Sequence, residues 1–397
     1  MCIDDPGSRS LRSDEFIERV NDRLLRHEGT GIQVFEVHFD LNSTHSAHLD
    51  KWVQFALKSD AQCVRLHLCK NGIPCPSHSV TANRYNFPLR CFGDGQASSL
   101  RKISLTNCIL GPMNSSSFSS LVSLALMCVK IADSGIQNIL SCCPVLRFLR
   151  LGRCHDLVSL RISSETLLHL EIYYCKKLVS IEINSTSLFF FEYDGHEVLI
   201  KYASTPSMRT IATKFWNRNC SLLKHLNDMK MIKKVTLTFL SPCEEHGFIV
   251  YPKKFAGLKF VNLLILPSWS NVLAVAYLLE ATPYLRRLRL EARSGQHNYL
   301  DNVPVSSPVD FSLKRLRAIY LGGFAAQAPL IELLACLVRA AAGLLYLKID
   351  PHHHLCKGMG KWVREDVGDE AARDHAWDAA KDTIGPILPP AVKLVIE

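Results

Sequence analysis

The chain has little of what would mark a membrane protein, a secreted protein or an enzyme. No apolar run approaches the about 18 residues a membrane helix needs; the longest clean one, Val272–Leu279, holds eight. The opening MCIDDPGSRSLRSDEF has no apolar stretch of the kind a secretory signal carries. No P-loop, nucleophile elbow or His-Glu-x-x-His occurs, and Gly93-Asp94-Gly95 is a lone turn, far short of a dinucleotide fingerprint. Charge is equally unspecialised: 46 basic against 37 acidic residues give +9 over 397 residues, without a polybasic arm. These absences exclude a membrane span and leave no catalytic machinery, cofactor cradle or nucleic-acid arm to argue from. With no export signal, the expected compartment is cytosol or nucleus. The 15 cysteines, odd in number and set in strand-like apolar runs, then read as reduced, buried small hydrophobes.

What the sequence does have is repetition. Aligned on Leu-x-x-Leu-x-Leu, the chain gives LRKISLTNC from Leu100, LVSLALMCV from Leu121, LRFLRLGRC from Leu146, LLHLEIYYC from Leu167 and LFFFEYDG from Leu188. These starts lie 21 to 25 residues apart, inside the range of leucine-rich repeats. Looser copies begin at Ile232, Leu258, Leu285, Leu316 and Leu344, with MRTIAT from Met208 as a degenerate one and alternating runs from Ile32 and Ala61 upstream. In each triplet the last two leucines fall on one face of a short strand. One such strand cannot bury that face alone, so successive copies must stack into a parallel sheet. The fold class expected is therefore α/β: a leucine-rich-repeat solenoid with a parallel sheet on its concave face and mixed helical and extended return segments.

The return segments differ along the chain. Second triplets at Leu157-x-x-Leu160-x-Ile162 and Leu178-x-x-Ile181-x-Ile183 predict extended returns there. DSGIQNILSCCP, NVLAVAYLLEATP and APLIELLACLVRA carry apolar residues at helical spacing. The ends are atypical, as terminal caps must be. Residues 1–31 hold an amphipathic helix with Phe16, Val20 and Leu24 on one stripe and Gly29 as its stop. Residues 32–350 form the solenoid, and 351–397 a C-terminal cap with WVREDVGDEAARDHAWDAAKD as a polar helix and AVKLVIE as a last strand.

Metal chemistry is weighed at two places. Cys63, His67, Cys69, Cys75 and His78 crowd together, yet no second cluster completes a four-ligand site, and the alternation with Val64, Leu66 and Leu68 reads as a strand. His352-His353-His354-x-Cys356 reads as a solvated loop. No metal, cofactor or catalytic residue is expected. What remains is the concave surface, where strand residues flanking the inward leucines project together. Phe148, Arg150, His169, Glu171, Tyr173, Phe190, Glu192, Arg287, Arg289, Tyr320, Tyr346 and Lys348 mix aromatics and arginine with both charge signs, the composition of a protein-binding surface. Cys108, Cys154 and Cys175 sit three residues after the second strand apolar, where such repeats place an inward-turned Asn or Cys.

The whole resembles the plant F-box/leucine-rich-repeat proteins, in particular those with an FBD-like C-terminal region. FIERVNDRLLRHEG (Phe16–Gly29) is similar to the helix that follows the F-box there. Tyr85-Asn86-Phe87-Pro88 and LRKISLTNC look like the entry to its first regular repeat, and LLYLKIDP and AVKLVIE like its C-terminal landmarks. The resemblance implies the substrate-recognition part of a Skp–Cullin–F-box ubiquitin ligase, with a protein captured on the concave face and a Skp-type adaptor gripped by the F-box. Only thirteen residues precede Asp14, too few for an F-box, so adaptor binding is expected only if one exists upstream. The alternative is an F-box-free scaffold with no role in ubiquitination.

Overall fold

The structure is a computed structural model describing residues 1–4, 12–29, 31–69, 83–92, 99–113, 118–215, 231–239, 255–266, 268–293, 312–356, 362–365 and 370–397. Cys75, His78 and Gly93-Asp94-Gly95 lie outside these residues. In chain order the strands begin with β1 (Cys2–Asp4), β2 (Val34–His38), β3 (Cys63–His67), β4 (Tyr85–Asn86), β5 (Lys102–Thr106), β6 (Cys108–Ile109) and β7 (Ser123–Met127). Next come β8 (Phe148–Gly152), β9 (Ser159–Ser163), β10 (His169–Tyr173), β11 (Ser180–Asn184), β12 (Phe190–Gly195), β13 (Leu199–Ser204) and β14 (Thr210–Phe215). The series ends with β15 (Lys234–Phe239), β16 (Phe260–Ile265), β17 (Arg287–Ala292), β18 (Ala318–Gly322), β19 (Tyr346–Asp350), β20 (His353–Cys356), β21 (Trp362–Glu365) and β22 (Lys393–Ile396). The helices are α1 (Ser13–Leu25), α2 (Ser46–Lys58), α3 (Asp133–Cys142), α4 (Trp269–Glu280), α5 (Ala328–Ala340) and α6 (Glu370–Ile384). None is long and apolar enough to cross a membrane among the described residues.

The chain divides into two units. The first comprises Met1–Phe189 and Val198–Ser207, the second Phe190–Glu197 and Met208–Glu397. In the first unit β1, β2, β3, β5, β7, β8 and β10 lie side by side in that order, all parallel. In the second the order is β12, β14, β15, β16, β17, β18, β19, β22, again parallel throughout. These are the stacked copies the leucine spacing predicts, and the fold is a leucine-rich-repeat solenoid.

Register explains why the triplets recur. In the first unit one inward row runs Phe35, Val64, Ile103, Leu124, Leu149, Leu170, and a second runs Val37, Leu66, Leu105, Leu126, Leu151, Ile172. All are buried, as are the opening leucines Leu100, Leu121, Leu146, Leu167 and Leu188. Each strand thus lends its apolar face to a column that no single copy could close.

The bend after each strand has its own device. Asn107, Cys128, Arg153 and Tyr174, at equivalent positions, hold left-handed backbone with φ between 51° and 61°. That conformation costs a non-glycine residue about 1 kcal/mol or more. Here it aims the backbone N–H at the next coil: Asn107 N–H donates to Met127 O at 3.0 Å, Cys128 to Gly152 O at 2.8 Å and Arg153 to Tyr173 O at 2.7 Å. The next thiol turns inward, as the repeat pattern predicts. Cys108 Sγ lies 3.4 Å from Thr106 O, Cys154 Sγ 3.5 Å from Gly152 O and Cys175 Sγ 3.6 Å from Tyr173 O.

The returns are mixed, as expected. Strands β9, β11 and β13 form a separate parallel sheet, while α3 returns the chain one repeat earlier. Where helical and extended returns meet, Val158 and Ser159 would leave two edge N–H groups unpaired. Asp133 of α3 accepts both through its carboxylate oxygens, each at 2.9 Å.

Three expectations need correction. Helix α1 ends at Leu25 with Arg26 as its cap rather than at Gly29, and Leu24 is only half-buried beside buried Phe16, Ile17 and Val20. The C-terminal polar helix does not begin at Trp362, because Trp362–Glu365 pairs antiparallel with His353–Cys356 as β21 against β20. The histidine run is accordingly a strand start, not a solvated loop, and His352 is buried. Helix α2 also has no counterpart in the sequence reading.

Leu149→Ala should cost about 2–5 kcal/mol in urea unfolding, whereas Ser123→Ala, a strand neighbour on the outward row, should stay within about 0.5 kcal/mol. Equal losses would contradict the inward–outward assignment.

Candidate protein-binding surface

The residues between the inward leucines project from the opposite side of each sheet, and register orders them into rows. In the first unit these are Val34, Cys63, Lys102, Ser123, Phe148, His169; then Glu36, Arg65, Ser104, Ala125, Arg150, Glu171; then His38, His67, Thr106, Met127, Gly152, Tyr173. At one end the side chains interlock. The Phe148 and His169 rings stack at 4.8 Å and 24°. Arg150 Nε donates to Glu171 Oε2 at 2.5 Å, the Tyr173 hydroxyl donates to the same oxygen at 3.0 Å, and the guanidinium lies 5.9 Å from the Tyr173 ring. Burial holds the His169 imidazole below its usual pKa even though Glu171 pulls the other way. A neutral imidazole stacked on an exposed phenyl ring is an apolar contact surface at neutral pH.

Two of the twelve expected surface residues are buried: Glu171 and Phe190. Strict alternation predicts exposure, but Arg150 and Tyr173 close over the Glu171 carboxylate from its own face. Glu171 therefore orients its neighbours instead of meeting solvent.

In the second unit the rows run Phe190, Thr210, Lys234, Phe260, Arg287, Ala318, Tyr346 and then Glu192, Ala212, Thr236, Asn262, Arg289, Tyr320, Lys348. Much of this face is engaged internally. Arg289 Nη2 reaches Glu291 Oε1 at 2.5 Å while its guanidinium covers the Trp362 ring at 4.7 Å. Lys348 Nζ pairs with Glu397 at 2.7 Å, and Tyr320 packs on Tyr346 with ring centroids 5.6 Å apart. Arg287 stays exposed at 5.7 Å from the Phe260 ring, and Glu192 is half-buried. The hairpin β20–β21 carries Trp362 onto this face, which is why Arg289 is less available than its strand position suggests.

Sequence reasoning missed a buried polar cluster at the end of these strands. Glu291, Asp350 and His352 are buried. His352 Nδ1 lies 2.8 Å from Asp350 Oδ1 and its N–H donates to that oxygen at 2.9 Å; Arg364 bonds the other ring nitrogen. His354 sits 3.4 Å from Glu291 Oε2 and 3.5 Å from Asp350 Oδ2, while His353 bonds Ala292 O at 3.0 Å. His352 and His354 thus converge on Asp350, while His353 turns away to Ala292. A cavity of about 110 Å³ opens beside Arg289, Glu291, Tyr320, Lys348, Asp350 and His354. Gly322 makes room for the carboxylate: a Cβ there would meet Glu291 Oε2 at 2.2 Å. A glycine opposite a glutamate in the strand register was the available signal.

Burial pushes the Glu291 carboxyl up to about 7 against the pull of Arg289, whereas burial and Arg289 hold His354 below its usual value. Between pH 4.5 and 7 the folded chain keeps a Glu291 proton that the unfolded chain releases, so stability falls as pH rises, by at most about 1.4 kcal/mol per pH unit. His354 gives the opposite slope below about pH 6.5. Glu291→Gln should therefore flatten the fall between pH 5 and 7 and raise the melting temperature at pH 8; an unchanged pH profile would contradict the assignment.

Comparison with known proteins agrees with this architecture. Residues 24–396 match the family described as At1g61320/AtMIF1, LRR domain. The Arabidopsis thaliana F-box protein At5g03100 is 32% identical over 158 residues, covering 39% of this chain and 46% of that protein. The putative F-box/LRR-repeat protein At5g02700 of the same plant is 29% identical over 132 residues, 33% of this chain and 27% of that protein. The chain thus matches less than half the length of each of these relatives. A parallel ladder of leucine triplets matched along nearly its whole length places this chain in the At1g61320/AtMIF1 leucine-rich-repeat family, a protein-interaction domain.

Proposed function

We propose that the chain is the substrate-recognition part of an F-box ubiquitin ligase receptor acting in cytosol or nucleus, and that it captures a protein and carries out no bond chemistry itself. The observation that carries the reading is the outward cluster Phe148, Arg150, His169 and Tyr173. It combines an exposed phenyl, an arginine held by a buried carboxylate and a tyrosine, residue types that dominate binding energy where proteins meet. Pre-ordering by Glu171 reduces the side-chain entropy that binding must otherwise remove. Arg287, Tyr320 and Tyr346 add a second stretch of the same composition on the other unit. That two relatives bear the name F-box protein supports the ligase role, in which a Skp-type adaptor joins the receptor through an F-box.

The native gene product, purified from plant tissue, should bring down a Skp-type adaptor together with a protein whose lifetime shortens when the receptor is overproduced. Phe148→Ala with Arg150→Glu should abolish capture of that protein by about 100-fold, since each anchor contributes about 1–2 kcal/mol or more, and leave adaptor recovery intact. Recovery of no adaptor would end the ligase reading. Unchanged capture by the double variant would end the assignment of the surface.

A further inference from the structure

At the other end of the first unit's outward face, three side chains with metal-binding donors converge. His38 and His67 are register partners on adjacent parallel strands, and Glu36 precedes His38 by two residues on the same face. The two imidazole rings lie 4.4 Å apart, and Glu36 Oε1 is 2.8 Å from His38 Nε2. One donor atom from each of the three residues falls within 4.8 Å of the other two. Donors around a tetrahedral ion at bond lengths of about 2.0–2.2 Å sit about 3.3 Å apart, so small side-chain rotations suffice to close the site. The His38 side chain is 38% exposed and that of Glu36 15% exposed, which leaves an entry path and an open fourth position for water.

The surroundings suit such a site. Arg65 Nη1 bonds Glu36 Oε2 at 3.0 Å, leaving Oε1 turned to His38. Thr106 Oγ1 lies 3.3 Å from His67 Nδ1. Both contacts fix a donor group from behind, as outer-shell partners do in metal sites. Two imidazoles and one carboxylate with an open position are the donor set of a first-row transition-metal dication such as zinc, nickel or copper.

The geometry points to Glu36, His38 and His67 as a binding site for one divalent transition-metal ion on the outward face of β2 and β3. This inference stands apart from the capture surface around Phe148. Nickel chloride is the suitable probe, because imidazole donors accept it while the chain's thiols favour softer ions. Calorimetric titration of the full, untagged chain under reducing conditions should show one nickel per chain at pH 7.5. His38→Ala and His67→Ala should each weaken binding about tenfold or more, while His48→Ala should leave it unchanged. Nickel should raise the melting temperature of the native chain and of His48→Ala only. Independently of any variant, bound nickel should protect His38 and His67 from diethylpyrocarbonate. No binding, equal binding by the His38→Ala/His67→Ala double variant, or equal modification of both histidines with and without nickel would overturn the inference.

Discussion

The structure depends on the burial of one apolar strand face that no repeat can cover by itself. Each Leu-x-x-Leu-x-Leu segment supplies two side chains to inward rows and a third, earlier one beneath the preceding turn. Every inner strand therefore needs neighbours on both sides. Burying a leucine contributes about 1.5–3 kcal/mol, so a single copy falls far short of the entropy lost in ordering some 20 residues at about 1–2 kcal/mol each. Stacking makes each new coil add its own rows to a column already half built. The stability of such an array is a sum of coil and interface terms.

That constraint fixes the small details. Parallel strands must be joined by a return, and the return must start within one or two residues of the strand end. Left-handed backbone at Asn107, Cys128, Arg153 and Tyr174 makes this corner, and at the first three it extends the hydrogen-bond ladder by one rung. The inward thiols occupy the space behind the corner. Burial pushes the Cys108 thiol pKa up, whereas the hydrogen bond between Cys154 and Cys175, with burial second, pushes Cys154 up and holds Cys175 below the usual thiol value. Cys108 and Cys154 are packing groups, protonated at neutral pH and poorly suited to act as nucleophiles.

The repeat positions, strand starts and extended returns near Leu157 and Leu178 were legible because a period of 21–25 residues overlaid on a period of two leaves few alternatives. The corner thiols were legible for the same reason. What escaped was everything decided by contacts across strands. His38 and His67, 29 positions apart, hold the same place in the copies from Ile32 and Ala61, but the convergence of their rings with Glu36 is set by side-chain packing across the strands. Glu171 and Glu291 alternate like solvent-facing residues, yet Arg150 and Arg289 cover them from the same side. The run His352-His353-His354 has the composition of a loop, and only its pairing with Trp362–Glu365 makes it a strand. Local pattern gives direction in or out; burial on the outward face is set by neighbours.

The most direct test of the stacked-coil account is native-state hydrogen exchange of the amides at Leu124, Leu149 and Leu170, one on each of β7, β8 and β10. If these strands share one buried column, the three amides should exchange slowly and with a common opening free energy that falls together on Leu149→Ala. Independent opening of the three, or a loss confined to β8, would contradict it.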